Sequence, residues 1–546
     1  MTYRTVLLNY FHQRDRGWML SLLAVVLLVY LPFLGNPFFF DDLNFFTGKA
    51  PDYYARALFH FDLRWLSYAS LGWTYALFSD VNTYFFHLGN ALLHGANVIL
   101  LFYLLRRLVG AVMDGQQESA AITWGAWFGA LVFACHPVAV YAVGYVIQRS
   151  VLMATLFALV MQLAWLRGLL TGQKRWLLLA VAAYFLAVYS KEHSVLMPSV
   201  LVAITLLLRA RNRASASALW LAGGAFAAIG LLLVLSIKGV FGTAYEVGAS
   251  SLFEQQGLVA STATLHLLSV LTQAGLFFKY LLLWALPNPA WMSVDMREHF
   301  IASLSEWQAW AGALGFILYG VVAFRLLLRP RWMGLIGLAL LYPWLQFWVE
   351  FTSIRVQEPF VLYRSYLWMP GIMLFFPLLL SKWPGKKALF MLAMAVLLVP
   401  LAWNRLWVFA DDYRLWDDAA KLLRSEREVW ASRIYYNRAH AAAATGKWEQ
   451  AAADYERAIA GNLKDEAVMH HDLGASYFNL RRYQDAMTQF DKAISINPEY
   501  AKAYFDRGMT LKYLRQEEQA MKEMEKSCEL KYAMACVIVK LQPPKK

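Results

Sequence analysis

The chain has 546 residues, of which 59% are apolar and 16% charged, with a net charge of +13 and three cysteines. Soluble domains carry roughly 25% charged residues, so a wholly soluble protein is a poor fit and an integral membrane protein with a charged appendage is a good one. The basic balance does not point to nucleic acid, because the Lys and Arg residues flank apolar runs, where they orient membrane segments.

The first apolar run, Trp18 to Leu34, is about long enough to cross a hydrocarbon core of roughly 30 Å. It lacks a small-residue cleavage site and is expected to stay as a signal anchor. Just past it, Asp41 and Asp42 sit between Phe38-Phe39-Phe40 and Phe45-Phe46. Carboxylates this close to a bilayer are costly unless they are used. Further spans are expected at 84 to 105, 122 to 142, 150 to 167, 176 to 190, 195 to 208, 218 to 237, 307 to 325, 332 to 350, 366 to 380 and 387 to 403. Cationic clusters place the cytoplasmic side: Arg4, Arg14 and Arg16, then Arg106-Arg107, Arg167 with Lys174-Arg175, Arg209 to Arg213, Arg325 to Arg331, and Lys382 to Lys387. An even number of crossings must separate Arg213 from Arg325, so the apolar stretch 262 to 286 is expected to be re-entrant or folded back. The expected fold is all-α: a polytopic membrane domain of about eleven crossings over 1–403, a linker helix over 404–431 and a soluble domain over 432–546, outside the cytoplasm.

The external loops collect the unusual polar residues: Asp41, Asp42, His136, Gln148, Arg149, Lys191, Glu192, His193, Arg355, Gln357, Glu358, Tyr363 and Arg364. A carboxylate can activate an acceptor and cations can hold a phosphate leaving group, so the set suits group transfer from a phosphorylated carrier. For any single Arg or Lys there, an interfacial anchor or ion pair is the plainer role. His87, Asn90, His94 and Asn97 share one helical face. Two of them could bind a metal, but a polar stripe bonded to neighbouring helices is the favoured reading. No HExxH, Walker, GxGxxG or CxxC pattern occurs.

From Asp411 onward the chain turns charged and Ala-rich, with a period near 34 residues: Ala451, Ala486 and Ala520 correspond, as do Ala439, Gly474 and Gly508. About three units starting near Ser432 look like tetratricopeptide repeats, whose concave surface holds a protein segment, with a purely structural lid as the alternative. Cys135 lies in an apolar run and reads as inert packing. Cys528 and Cys536 flank a turn between two helices and are expected to form a disulfide in an oxidising compartment.

Phe40-Asp41-Asp42, His87-Leu88-Gly89-Asn90 with Leu93-His94 and Asn97, Cys135-His136-Pro137, Gln148-Arg149-Ser150, Ser190-Lys191-Glu192 and Tyr363-Arg364-Ser365-Tyr366-Leu367 occur in an order that resembles the transmembrane and TPR-containing protein O-mannosyltransferases and their bacterial relatives. The resemblance covers nearly the whole chain and implies a GT-C glycosyltransferase that moves a sugar from a polyprenyl phosphate to an external acceptor. It assigns the catalytic acid to Asp41 or Asp42 and the donor phosphate to Arg149, Lys191, Arg355 and Arg364. His94, His136, Glu192, Glu358 and Tyr363 complete the candidate set. The repeats are fewer than in the eukaryotic proteins, so sugar and acceptor do not carry over. The expected protein is a bacterial inner-membrane protein O-glycosyltransferase with periplasmic repeats. Its partners would be the prenyl-linked donor, the bilayer and a protein acceptor such as a pilin. No cofactor is assigned, and a divalent metal stays open. The alternatives are a transferase modifying a glycan or lipid, and a non-enzymatic membrane scaffold. A phosphatase fused after residue 546 should be active and a cytoplasmic reporter at the same place dark; the opposite pattern removes the external-site argument.

Overall fold

A computed structural model describes residues 13–56, 59, 62–78, 82–113, 120–237, 261–356, 358–382, 387–423, 431–461 and 466–541. Arg4, Gln357 and Lys386, used above, lie outside them. The described residues form helices and no strand. They fall into two compact units that divide between Ala410 and Asp411, the segment Asp295–Arg297 grouping with the second. The boundary was expected at 403; it lies later because the last apolar helix runs to Val408.

Helices of seven or more residues in the first unit are α1 (Gln13–Tyr30), α2 (Asp41–Thr47), α3 (Ala50–Arg56), α4 (Trp65–Phe78), α5 (Thr83–Val112), α6 (Ala120–Cys135), α7 (Arg149–Thr171), α8 (Lys174–Ser190), α9 (Met197–Leu207), α10 (Ala216–Ser236), α11 (Thr262–Ala285), α12 (Trp307–Leu327), α13 (Trp332–Phe347), α14 (Phe375–Lys382) and α15 (Lys387–Val408). Several start on side-chain caps: Asn82, Ser215 and Ser261 accept from Tyr84, Ala218 and Thr264 backbone N–H groups. Gly172, at φ 72°, closes α7 in the left-handed region that favours glycine.

Among the described residues, seven helices are long and apolar enough to cross a bilayer, or nine if each bent pair counts once, against the eleven expected. The difference comes from breaks and one short helix. Pro137 interrupts 122 to 142, a 3-10 segment at Glu192–Leu196 shortens α9, and 362 to 374 consists of two 3-10 segments on either side of Trp368, while α8 is unbroken but only 17 residues long. Such backbone is compatible with an apolar setting only when packed inside protein, and these breaks are largely buried.

The ends of these helices sort into two sets. At one, Arg106 pairs with Asp15 at 2.6 Å, Arg167 lies over Trp176 at 4.2 Å, and Arg209 donates to the Leu328 carbonyl at 3.2 Å. At the other, Asn36 donates to the Leu406 carbonyl, Asp42 accepts from Ile147, and Glu350 pairs with Arg364. The first set holds the cationic loops and the second the polar candidates.

The stretch 262 to 286 is not broken: α11 is one helix of 24 residues. It nevertheless begins and ends at the second set. His266 in its first turns reaches the Phe351 carbonyl at 2.7 Å, and Trp284 in its last turn donates to Ser365 Oγ at 2.9 Å. The chain then returns along it, with Ile301 N–H donating to Thr272 Oγ1 at 2.9 Å and Ile301 packing on Leu268 and Leu271. Helix α11 is long and apolar enough to cross a bilayer, and its middle packs along α12, where Phe277 meets Phe316 and Tyr319.

The polar face of α5 holds the helices together at their breaks. His87 Nε2 donates to the Asn36 carbonyl, Asn90 to those of Val143 and Val146, His94 Nε2 to that of Ala134, and Asn97 to that of Leu152. The bonds to Ala134, Val143 and Val146 meet carbonyls at helix ends, and Asn97 adds a second donor to a carbonyl within α7.

The second unit comprises α16 (Asp412–Lys421), α17 (Ala431–Ala444), α18 (Trp448–Ala460), α19 (Glu466–Asn479), α20 (Tyr483–Ile496), α21 (Ala501–Tyr513), α22 (Glu517–Glu529) and α23 (Ala533–Lys540). The expected linker helix over 404–431 is therefore not one element. Ala420 and Leu423 pack on Ala431 and Tyr435, and Asp417 pairs with Arg438, so α16 caps the first repeat. Helices pair as α17 with α18, α19 with α20 and α21 with α22, and the repeat positions explain why. A Cβ on Gly474 would meet the Phe490 ring at 2.8 Å, and one on Gly508 the Ala520 carbonyl at 3.0 Å. Ala439, Ala451 and Ala486 are fully buried at the corresponding contacts. Cys528 and Cys536 form a disulfide with Cα atoms 4.6 Å apart, clamping α23 to α22.

His471 ties the second repeat to the third. Its Nε2 lies 2.6 Å from Asp506 and its Nδ1 2.9 Å from Asp472. Burial lowers its proton affinity, but the two carboxylates more than offset this and leave the imidazole above its ordinary value. A raised folded value means that the stabilisation is fully present below the unfolded value of about 6.5 and is lost as pH rises through the folded one. Thermal melts should show the second unit weakening over that rise, and His471→Gln should flatten the dependence. An unchanged profile would mean that the imidazole does not carry the tie.

Candidate active site at one end of the apolar bundle

Asp41 and Asp42 open α2, and the structure gives them different environments. Asp42 is buried, its Oδ1 accepting from Ile147 N–H at 2.7 Å and its Oδ2 from Phe39 N–H at 3.3 Å. Burial pushes its carboxyl up to about 7, while the backbone hydrogen bonds pull the other way. Asp41 is exposed, and its backbone N–H donates to Tyr145 Oη at 3.1 Å. Phe40 between Phe39 and Asp41 has φ 48°, ψ −116°, a conformation that costs a bulky residue about 1 to 3 kcal/mol. That kink lets Asp42 turn inward while Asp41 faces solvent.

Tyr145 leads to the second part of the site. Its ring meets Tyr363 edge-on at 6.2 Å, and Lys191 Nζ lies 5.9 Å from the Tyr363 centroid. Around Lys191 the charges are paired. Glu192 takes Arg64 Nε at 2.8 Å and also its Nη2. Glu350 takes Arg364 Nη1 at 3.1 Å and Arg355 Nε at 3.3 Å. His193 stands between the two acids, 3.3 Å from Glu192 and 3.7 Å from Glu350. Lys191 itself is 4% exposed, and no acceptor meets its ammonium among the described residues. Burial, reinforced by Arg64, Arg364 and Arg355 against the pull of Glu192, pushes it down to about 7. Burial alone would raise Glu192, but Arg64 and Lys191 hold it well below the usual carboxylate range. A buried ammonium that no side chain accepts from directly is costly.

Three of the four proposed phosphate ligands, Lys191, Arg355 and Arg364, are thus brought together, and Arg149 is not one of the set. Its Nε donates to Asn90 Oδ1 at 2.9 Å, its Nη1 to the Ser70 carbonyl and Thr74 Oγ1, and its Nη2 to the Phe86 carbonyl at 2.8 Å. It is a strut joining α4, α5 and α7. Gly89 makes room for it, since a Cβ there would meet Nη2 at 2.7 Å. His94 is also committed, with Nδ1 2.7 Å from Tyr366 Oη and Nε2 on Ala134. In His136, Nδ1 accepts from Val138 N–H and Nε2 donates to the Trp284 carbonyl, with the ring stacked on Trp284 at 4.2 Å. These two histidines are structural because both ring nitrogens are satisfied by protein. Glu358 is half-buried in the segment that leads to Tyr363. Among the described residues no group of three or more His, Cys, Asp or Glu is arranged to hold a metal.

Sequence reasoning missed Arg64, Tyr145 and Glu350. Glu350 carried the same signal as Asp41, a carboxylate without a snorkelling stem at the mouth of an apolar run. Arg64 carried none, because its partner is 128 positions away.

Arg149→Ala removes a donor from buried acceptors on two helices, α4 and α5, and should cost about 3 kcal/mol or more, read from unfolding in detergent. Lys191→Met removes a buried unpaired charge and should leave stability unchanged or higher. The reverse ranking would exchange the roles given to these two cations.

Tetratricopeptide-repeat family models match residues 432–460, 467–500 and 501–533. No curated protein matches the chain. Among solved structures, MamA aligns at 24% identity over 22% of this chain and 72% of its own, with a TM-score of 0.20. The APC/C hetero-tetramer Cut9–Hcn1 aligns at 13% identity over 92% of both chains, with a TM-score of 0.23. Scores this low carry no argument about the rest of the architecture. The repeat matches coincide with the three helix pairs, and the C-terminal region is a tetratricopeptide-repeat domain.

Proposed function

We propose that the first unit spans a bilayer and is a glycosyltransferase that takes a sugar from a polyprenyl phosphate and passes it to a protein hydroxyl held by the repeats. The observation that carries this reading is one end of an apolar bundle that joins an exposed carboxylate, Asp41, to a buried cation, Lys191, through Tyr145 and Tyr363. The bilayer is supported by the outside of the bundle. Trp220 is 81% exposed, Leu221 75% and Trp307 73%, and apolar surface on that scale suits lipid contact. On this reading the cationic loops face the cytoplasm and the site faces outward, at a bacterial inner membrane.

In the proposed reaction the Asp41 carboxylate takes the proton of the acceptor hydroxyl as its oxygen attacks the anomeric carbon. The bond from that carbon to the donor oxygen breaks, and the phosphate leaves with the electron pair. Lys191, Arg355 and Arg364 stabilise that charge where water is excluded. Asp42 holds the loop and turn in register. The repeats give the acceptor a surface, since such solenoids ordinarily bind protein segments.

A scaffold acting through its repeats alone is the second reading, favoured by the family matches, which lie wholly in that domain. It gives no role to Asp41 or to an unpaired Lys191. Intact masses of exported proteins from a deletion strain and its parent separate the two: loss of a sugar increment supports transfer, and identical masses support the scaffold. Asp41→Asn keeps shape but removes basicity, so it should stay at normal abundance while transfer falls about 10² to 10⁴-fold. Near-normal transfer by that variant overturns the assignment.

A further inference from the structure

We infer that Ser194 and Ser353 are further binding residues of the anion cradle, their hydroxyls donating to the oxygens of the bound phosphate; this rests on the donor reading above. Both side chains are buried, at 0% and 1% exposure, and neither hydroxyl has a hydrogen-bond partner among the described residues. They are not scattered. Ser194 follows Lys191 by one 3-10 turn, its N–H donating to the Lys191 carbonyl at 3.0 Å. Ser353 directly follows the 3-10 segment Trp348–Thr352 that carries Glu350, and Arg355 lies two residues on. His193 joins the two segments by standing between Glu192 and Glu350.

Serine hydroxyls within helices ordinarily bond to a carbonyl three or four residues back, as Ser190 does to Leu186 at 2.7 Å and Ser199 to Leu196 at 2.6 Å on either side of this turn. Ser194 makes no such bond. A hydroxyl that is buried without a partner is destabilising. The two lie on the segments that carry Lys191 and Glu350, which His193 joins. An oxyanion accepts from hydroxyl and ammonium donors alike, and a neutral apolar group accepts from neither.

This arrangement separates a ligand role from a structural one. If the hydroxyls support the fold, removing them weakens the free protein; if they serve a ligand, removing them relieves an unmet cost and weakens binding. The test uses the full chain in detergent, farnesyl phosphate as probe and farnesol as its neutral control, with melting temperature and affinity as readouts. The Ser194→Ala, Ser353→Ala double variant should melt at or above the parent when free, yet bind farnesyl phosphate about tenfold more weakly, with farnesol unaffected. Ser194→Cys, similar in size but a weaker donor, should fall between. Parental affinity in the double variant, or a lower melting temperature of the free protein, overturns the inference. Lys191→Met reports on the donor reading independently. If it binds the probe as the parent does, that reading fails; if it loses binding while the serine variants do not, only the serine assignment fails.

Discussion

The carboxylate of Asp42 connects two stretches of chain far apart in sequence. One follows the first apolar helix and the other precedes α7, and the bond from Ile147 N–H to Asp42 at 2.7 Å fixes one on the other. Burying a carboxyl is expensive, so both oxygens are used, and the second accepts from Phe39 across the kinked backbone of Phe40. Much of the local geometry follows. With Asp42 turned inward, Asp41 faces out and its N–H reaches Tyr145. With Ile147 held, Arg149 enters α7 two residues later in position to bond Ser70, Thr74, Phe86 and Asn90.

The other charges at this end obey the same rule, with one departure. Arg64 meets Glu192, and Arg355 and Arg364 meet Glu350. Low dielectric strengthens these pairs and makes an unpaired group correspondingly costly. Lys191 is that group. A fold that keeps a buried ammonium without a partner bears a cost that its own contacts do not explain, and such residues concentrate where a ligand completes the pairing.

The repeat domain is built on a different footing. Its small residues let paired helices approach, as Gly474 does against Phe490, and each contact involves near neighbours in the chain. Contacts between repeats are fewer and more specific. His471, lodged between Asp472 and Asp506, is one of them, and the Cys528–Cys536 disulfide fixes the terminal helix by covalent means.

What the sequence by itself determined is local. Apolar runs, the cationic loops between them and the period of the repeats were legible because each depends on residues a few positions apart. The disulfide across a short turn and the acidic pair after the first run were legible for the same reason. Tertiary structure decided which polar residues are left over. Arg149, His94 and His136 have the same appearance in sequence as Lys191 and Tyr363, yet their donors and acceptors end on Phe86, Ala134 and Trp284, groups brought near only by helix packing. Glu350 and Arg64 became visible only when chain segments far apart were placed side by side. Composition specifies which groups must find partners, and the partners themselves are set by long-range contacts that no local pattern encodes.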